Sequence, residues 1–231
     1  MSRAETLLRL WEAGCGCAPV ERPLRLLAQT HGEEPADLAG LSLGARDRRL
    51  IGLRETLFGR EMACVAPCPA CGSVNEFALD ARALDAMGDR DQPDAPLAAP
   101  GPDGPVPLRL LTTADLIAVA GLPPDQMRAG LVARAMDAEP ADEATIEAAA
   151  RLLEAADPLA ALSLDLACAG CGQDFEVGLD PAEHLWTELV AAVRRLLAEV
   201  HRLAAAYGWS ETAILALSPA RRAAYLDMVG A

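Results

Sequence analysis

Lysine is absent from this 231-residue chain, so its 20 cations are all arginine, set against 34 aspartates and glutamates for a net charge of −14. The arginine-only usage reads as codon bias in a GC-rich genome before it reads as function. The acidic balance argues against nonspecific contact with DNA or RNA, whose phosphates demand a basic surface. Aromatic residues make up 3% of the chain, too few for a base-stacking face. Alanine and leucine dominate instead, which favours helices over sheets. No apolar run approaches the roughly 20 residues of a membrane-spanning helix, and Met1-Ser2-Arg3-Ala4-Glu5 lacks the apolar stretch of a secretory leader. Also missing are a nucleophile elbow, a phosphate-binding loop and a metalloprotease helix. The expectation is a cytoplasmic, non-enzymatic protein without membrane contact or a small-molecule substrate.

What the chain does have is seven cysteines, four of them in two matching pairs, Cys68-Pro69-Ala70-Cys71-Gly72 and Cys168-Ala169-Gly170-Cys171-Gly172. Two thiolates three residues apart on a tight turn can face one cation, and the following glycine lets the chain turn with its amides toward the sulfurs. The flanks repeat too: each half reads strand, knuckle, strand, then Asp80 or Asp180 before a helical stretch. Leu162, Leu164 and Leu166 alternate with Ser163 and Asp165, as on a half-buried strand. Neither hairpin can close a metal site alone. The inference is that the two pack side by side and share one structural Zn2+ through Cys68, Cys71, Cys168 and Cys171. Four thiolates at about 2.3 Å would leave no open position for water, so such a site stabilises without doing chemistry. The competing readings are reduced, buried cysteines without a metal, and a thioredoxin-like redox pair, which lacks its βαβ setting here. An odd cysteine count with two metal-type pairs suggests a reducing compartment. Cys15-Gly16-Cys17 fits a knuckle poorly and reads as a loop with two free thiols; Cys64 lies in the strand before the first knuckle.

The predicted fold class is mainly α with small β (α+β): one domain over 1–231, a helical body around two knuckle hairpins. N-terminal helices fill 1–60, at about 3–13, 23–30 and 42–58. Arg46, Arg48, Arg49 and Arg54 on the third read either as a patch for an acidic partner or as a solvated face. The first hairpin spans 61–80 and a short helix follows at 81–87. A Pro/Gly-rich flexible loop covers 88–107. A helical insertion fills 108–158, with a small strand at 108–110, a helix capped at Thr112, and others near 124–137 and 142–155. The second hairpin spans 161–180. The C-terminal segment 181–231 holds the longest helix, 181–207, where Leu185, Leu189, Val193, Leu196, Val200, Leu203 and Tyr207 form an apolar seam. Pattern alone leaves open whether that seam meets the body or a partner. Two short helices follow, starting at Ser210 and at Ser218-Pro219. Histidines at 31, 184 and 201 read as a helix C-terminal charge, a surface or capping group, and a partly buried hydrogen-bonded residue.

The tail carries Trp186, Glu199-Val200-His201, Tyr207-Gly208-Trp209-Ser210-Glu211, Ile214-Leu215, Ser218-Pro219 and Arg221-Arg222-Ala223-Ala224-Tyr225-Leu226. This resembles the C-terminal signature of a baseplate protein family of contractile phage tails and contractile injection systems, the T-even-type hub assembly chaperones. Leu10-Trp11-Glu12, the arginine-rich Gly44-to-Leu50 stretch and the two C-x-x-C-G pairs extend the likeness over most of the chain; Cys15 and Cys17 have no counterpart in it. The resemblance implies an assembly role, with baseplate hub or wedge proteins as partners and possible incorporation into the particle. Within the tail, Tyr207, Trp209, Arg221, Arg222 and Tyr225 are the expected partner contacts, because tyrosine, tryptophan and arginine are the usual anchors; the bland alternative is that Trp209 and Tyr225 pack the last helices down. The other reading weighed is a zinc-ribbon nucleic-acid-binding or regulatory protein, which the charge opposes.

Overall fold

Helices come first along the chain, as the leucine spacing predicts. The computed structural model describes residues 2–87, 96–101, 104–140 and 142–230. Helix α1 (Arg3–Gly14) starts at a capping box, in which the Ser2 hydroxyl accepts from the Glu5 amide and the Glu5 carboxylate from the Ser2 amide. Helix α2 (Arg22–His31) stops at left-handed Gly32. A short α3 (Pro35–Ala39) lies between the expected second and third helices, because Pro35 presets the first helical φ. Helix α4 (Leu43–Phe58) is capped by Ser42. Then come the first hairpin, β1 (Glu61–Pro67) and β2 (Val74–Asp80), and α5 (Ala81–Met87).

The middle of the chain holds β3 (Leu97–Ala99), β4 (Val106–Leu108), α6 (Thr113–Val119), α7 (Pro124–Met136) and α8 (Glu143–Ala156). A 3-10 turn at Pro158–Ala161 leads to the second hairpin, β5 (Ser163–Ala167) and β6 (Asp174–Gly178). Last come α9 (Pro181–Tyr207), α10 (Glu211–Leu215) and α11 (Pro219–Gly230). Among the described residues the architecture is mainly α with three separate two-stranded antiparallel hairpins.

The apolar seam of α9 meets the body. Leu185 and Leu189 join Leu10 of α1, Leu26 and Leu27 of α2 and Leu50 of α4 in one cluster whose members are essentially inaccessible. Each such leucine contributes roughly 1.5–3 kcal/mol by leaving water. Gly14 is glycine for a packing reason: a Cβ there would stand 2.4 Å from the Trp186 ring. That ring in turn lies under the Arg22 guanidinium, 4.8 Å from its centroid. Further along α9, Leu196 packs with Ala4 and Leu215, which draws α10 onto α1.

The insertion has a core of its own, in which Ala99, Leu108, Val132, Ala135, Met136, Ile146, Ala149 and Leu153 are buried together. It is tied to α4 at one end. The Gly44 amide donates to Asp157 at 2.9 Å, Leu43 donates to the Leu111 carbonyl at 2.9 Å, and Arg46 donates to the Thr113 hydroxyl at 3.3 Å. The expected flexible loop at 88–107 is in part a hairpin, since 97–99 pairs with 106–108 and buries Ala99 and Leu108; residues 88–95 and 102–103 lie outside the described residues. The small strand expected at 108–110 therefore ends at Leu108, after which the Arg109 amide turns to the Ala135 carbonyl.

The α4 arginines form neither a partner patch nor a solvated face. Arg46 and Arg54 are buried; Arg46 pairs with Asp47 and Arg54 clamps Glu188 of α9 through two 2.7 Å bonds. Arg49 bonds Glu33, and Arg48 lies 3.8 Å from Asp85. Arg54 thus ties α4 to α9 through Glu188, which periodicity could not reveal. His201, expected to be partly buried, is exposed, because it lies beside the α9 seam. His184 is the sheltered one, 3.4 Å from Glu188, and burial pushes its pKa down.

Candidate metal centre

The two knuckles fold alike. In the first, the Cys68 amide donates to the Ser73 carbonyl and the Gly72 amide to the Cys68 carbonyl, both at 2.9 Å. In the second, Cys168 donates to Gln173 at 2.9 Å and Gly172 to Cys168 at 2.8 Å. Gly72 and Gly172 both take left-handed φ, +74° and +73°, which closes the turn without the strain a side chain would bring.

These turns bring four sulfurs from opposite ends of the insertion together. The Sγ atoms of Cys68, Cys71, Cys168 and Cys171 all lie within 4.8 Å of one another. Cys68 and Cys171 are 3.8 Å apart, and Cys71 and Cys168 are 3.6 Å apart. A tetrahedral site with bonds of about 2.3 Å has sulfur–sulfur edges of about 3.8 Å, whereas a disulfide needs about 2.05 Å. The donor set therefore has the size of a metal tetrahedron and could hold a metal ion. Cys68 and Cys168 are buried, Cys71 and Cys171 exposed.

Without a cation the four thiols conflict. Cys168 is pulled down to about 6, first by the Cys171 amide and then, against its own burial, by the Gly170 amide and the sulfurs of Cys68 and Cys71. Cys71 is lowered mainly by its hydrogen bond to Ser73. For Cys171 the Gln173 amide favours the thiolate, but the sulfurs of Cys71 and Cys168 outweigh it and push the thiol up to about 12. Four adjacent thiolates need a positive ion to coexist.

The repeat is broken by residues that sequence reading passed over. Asn75 and Phe175 occupy equivalent positions, four after the second cysteine of each pair. Asn75 is buried and joins the hairpins: its side-chain amide donates to the carbonyls of Ala66 and Ser73, at 3.3 and 3.1 Å, and lies 3.8 Å from the Cys168 sulfur. Its side-chain oxygen accepts from the Ala169 amide. Gly170 is glycine where the first knuckle has Ala70, because a Cβ there would stand 2.5 Å from the Ser73 hydroxyl. The signal available in sequence was the mismatch between otherwise matching halves.

Beneath the first hairpin, Met62, Cys64, Ile51, Leu84, Leu159 and Leu162 form a core, so Cys64 is a packing residue and burial raises its pKa. The second hairpin is shallower, with Leu164, Leu166, Phe175 and Val177 only half-buried. Cys15 is exposed, Cys17 donates to the Gly14 carbonyl, and neither joins the four-sulfur cluster.

The tail residues divide. Tyr207 stacks on Trp209 at 4.7 Å, and Tyr225 meets Trp209 edge-on at 4.8 Å, all three partly exposed. Arg221 is exposed. Arg222 is buried, bonding Glu199 of α9 and the Leu217 carbonyl, so it pins α11 rather than presenting an anchor. Among the described residues no helix is long and apolar enough to cross a membrane. No family model, curated protein or solved structure matches the chain.

Proposed function

We propose that this protein is a non-enzymatic assembly factor or minor component of the baseplate of a contractile phage-like tail or injection system, working in the cytoplasm and stabilised by a structural zinc. The observation that carries the structural half of this reading is the cluster of four cysteine sulfurs within 4.8 Å of one another, of a size to form a tetrahedral site. With every position taken by a protein thiolate, the ion has no place for water or substrate, so its role is to join two hairpins. Zinc is the ion favoured by a tetrahedral all-thiolate set in a reducing compartment. The baseplate half rests on the resemblance of the tail, whose Tyr207-Gly208-Trp209-Ser210 turn forms a half-exposed aromatic cluster suited to protein contact.

The nucleic-acid reading finds little support in the hairpins. Their exposed positions include Glu61, Glu76, Asp165, Asp174 and Glu176, which repel phosphate.

The test is affinity purification of the tagged chain from cells making a contractile particle, compared by mass spectrometry with the purified particle. Co-purifying hub or wedge proteins are expected; presence in the particle then marks a subunit, and absence a chaperone. No association in either preparation sinks the baseplate reading. Metal analysis of the purified chain should give one zinc per molecule.

A further inference from the structure

Where α10 and α11 fold back over the start of α1, they leave a cleft of about 500 Å³. Part of its lining is apolar, including Leu7, Leu196 and Leu215, and it also holds Arg3, Arg195 and Arg222 beside a single carboxylate, Glu199. Glu199 is already occupied, since Arg222 bonds it at 3.0 Å. The Glu5 carboxylate is held in the α1 cap by the amide of Ser2, which lines the cleft. Arg3 gives one N–H to the Leu57 carbonyl. Arg3 and Arg195 are exposed, and neither has an ion pair among the described residues.

The other described arginines divide between unpaired and paired: Arg9, Arg25, Arg128, Arg194, Arg202 and Arg221 also have no ion pair among the described residues. Arg46, Arg49, Arg54, Arg60, Arg82, Arg109, Arg134 and Arg151 all have carboxylate partners within 3.2 Å. What sets Arg3 and Arg195 apart is their place: both line one cleft, so in a chain with 14 more acidic than basic groups that cleft is locally positive. The N-termini of α1 and α11, at Ser2 and Ser218, also line the cleft and add positive potential. An apolar lining beside unpaired guanidiniums complements a group that is apolar on one side and anionic on the other.

We propose that this cleft binds an acidic segment of a partner protein, with an apolar side chain against Leu7, Leu196 and Leu215 and a neighbouring carboxylate on Arg3 and Arg195. The inference rests on the assembly reading only in taking the occupant to be a protein. It does not depend on the partner belonging to a baseplate.

The test is selection of a random peptide library on the full-length, zinc-loaded chain. The most enriched peptide is then measured by fluorescence anisotropy against wild type, R3E/R195E and R194E; Arg194 neighbours Arg195 on α9 but does not line the cleft. The expected consensus places Asp or Glu beside a large apolar residue. R3E/R195E should weaken binding by about tenfold or more, R194E by less than about twofold, with unchanged circular dichroism melts. If Arg3→Glu loosens α1, R195E alone, an exposed change within α9, carries the comparison. Four results would overturn the proposal: no acidic consensus, binding unchanged in R3E/R195E, equal weakening by R194E, or displacement of the peptide by inorganic phosphate at an ionic strength where chloride leaves it bound. A failed baseplate purification would leave this test intact, so the two readings fail separately.

Discussion

The side-chain oxygen of Asn75 accepts a hydrogen bond from the Ala169 backbone amide at 2.9 Å, linking hairpins 94 residues apart in sequence. The same side chain donates to its own knuckle and lies beside the Cys168 sulfur, so it fixes one hairpin relative to the other. Asn75→Ala should lower metal affinity by about 10–100-fold, as removal of groups supporting metal ligands typically does, and cost about 1–3 kcal/mol from stranded buried partners. Competition with a chromophoric chelator reads the first and denaturant melts the second. Phe175→Ala, at the equivalent half-exposed position, should change affinity far less. Equal effects from both would mean that Asn75 acts through packing alone.

The proposed shared site predicts that both hairpins are needed for one ion. Cys71→Ser and Cys171→Ser should each abolish stoichiometric zinc binding and lower the melting temperature, although both residues are exposed. Cys15→Ser and Cys17→Ser should leave metal content unchanged. Cobalt substitution should give the strong thiolate charge-transfer bands of a tetrahedral four-sulfur site in wild type, and lose them in either knuckle variant. Acid should release the ion as protons compete for the thiolates. A Cys71→Ser protein that keeps one firmly bound zinc and an unchanged melt would refute the shared site.

Two aspartates give opposite pH signatures. Burial favours protonation of Asp115, but Arg109, the Thr112 amide and hydroxyl, and Arg134 outweigh it and hold the carboxyl well below its ordinary range. Its stabilisation is full above the unfolded value near 3.8 and is lost as pH falls below it. Burial dominates at Asp47 and raises it to about 6 despite Arg46; ionising it in the fold therefore costs stability as pH rises from about 4 to 6. Asp115→Asn should destabilise by about 1–3 kcal/mol at neutral pH, the exposed arginines limiting the figure. It should also flatten the loss of stability below about pH 4 in denaturant melts. A variant whose acid profile parallels wild type would mean that Asp115 is not the titrating group.

Much of this fold can be read from punctuation in the chain. Ser42, Asp180 and Ser210 each cap the helix they precede, and Gly208 ends α9 in the left-handed conformation, because capping chemistry is local. The cysteine pairs were legible for the same reason, since spacing fixes the turn. What spacing does not encode is the partner of a charge. Arg54 looked like part of a surface because its carboxylate, Glu188, lies far along the chain. Asn75 was similarly silent, its role existing only once the second hairpin is beside it. The β3–β4 pair was hidden by prolines, which a two-stranded ribbon tolerates at edge positions.

Among the contacts that fasten the insertion to α4, the one between Gly44 and Asp157 tests whether the join stabilises the whole. Gly44 lies in the first turn of α4, where its amide donates to Asp157 at 2.9 Å, and a Cβ at this position would stand 1.7 Å from the Asp157 carboxylate. Alanine is the better helix former and would by itself favour α4. The clash must nevertheless displace Asp157, lose the bond to the helix N-terminus and shift the 3-10 turn that carries buried Leu159 under the first hairpin. Gly44→Ala should therefore destabilise by about 1–3 kcal/mol, with faster amide exchange at residues 157–162 and little change at 185–196 in α9. Gly52→Ala, in the same helix with open space for a Cβ, should be neutral or stabilising by a few tenths of a kcal/mol. If the two variants behaved alike, helix propensity alone would account for both, and the Asp157 contact would carry no weight in joining the insertion to the body.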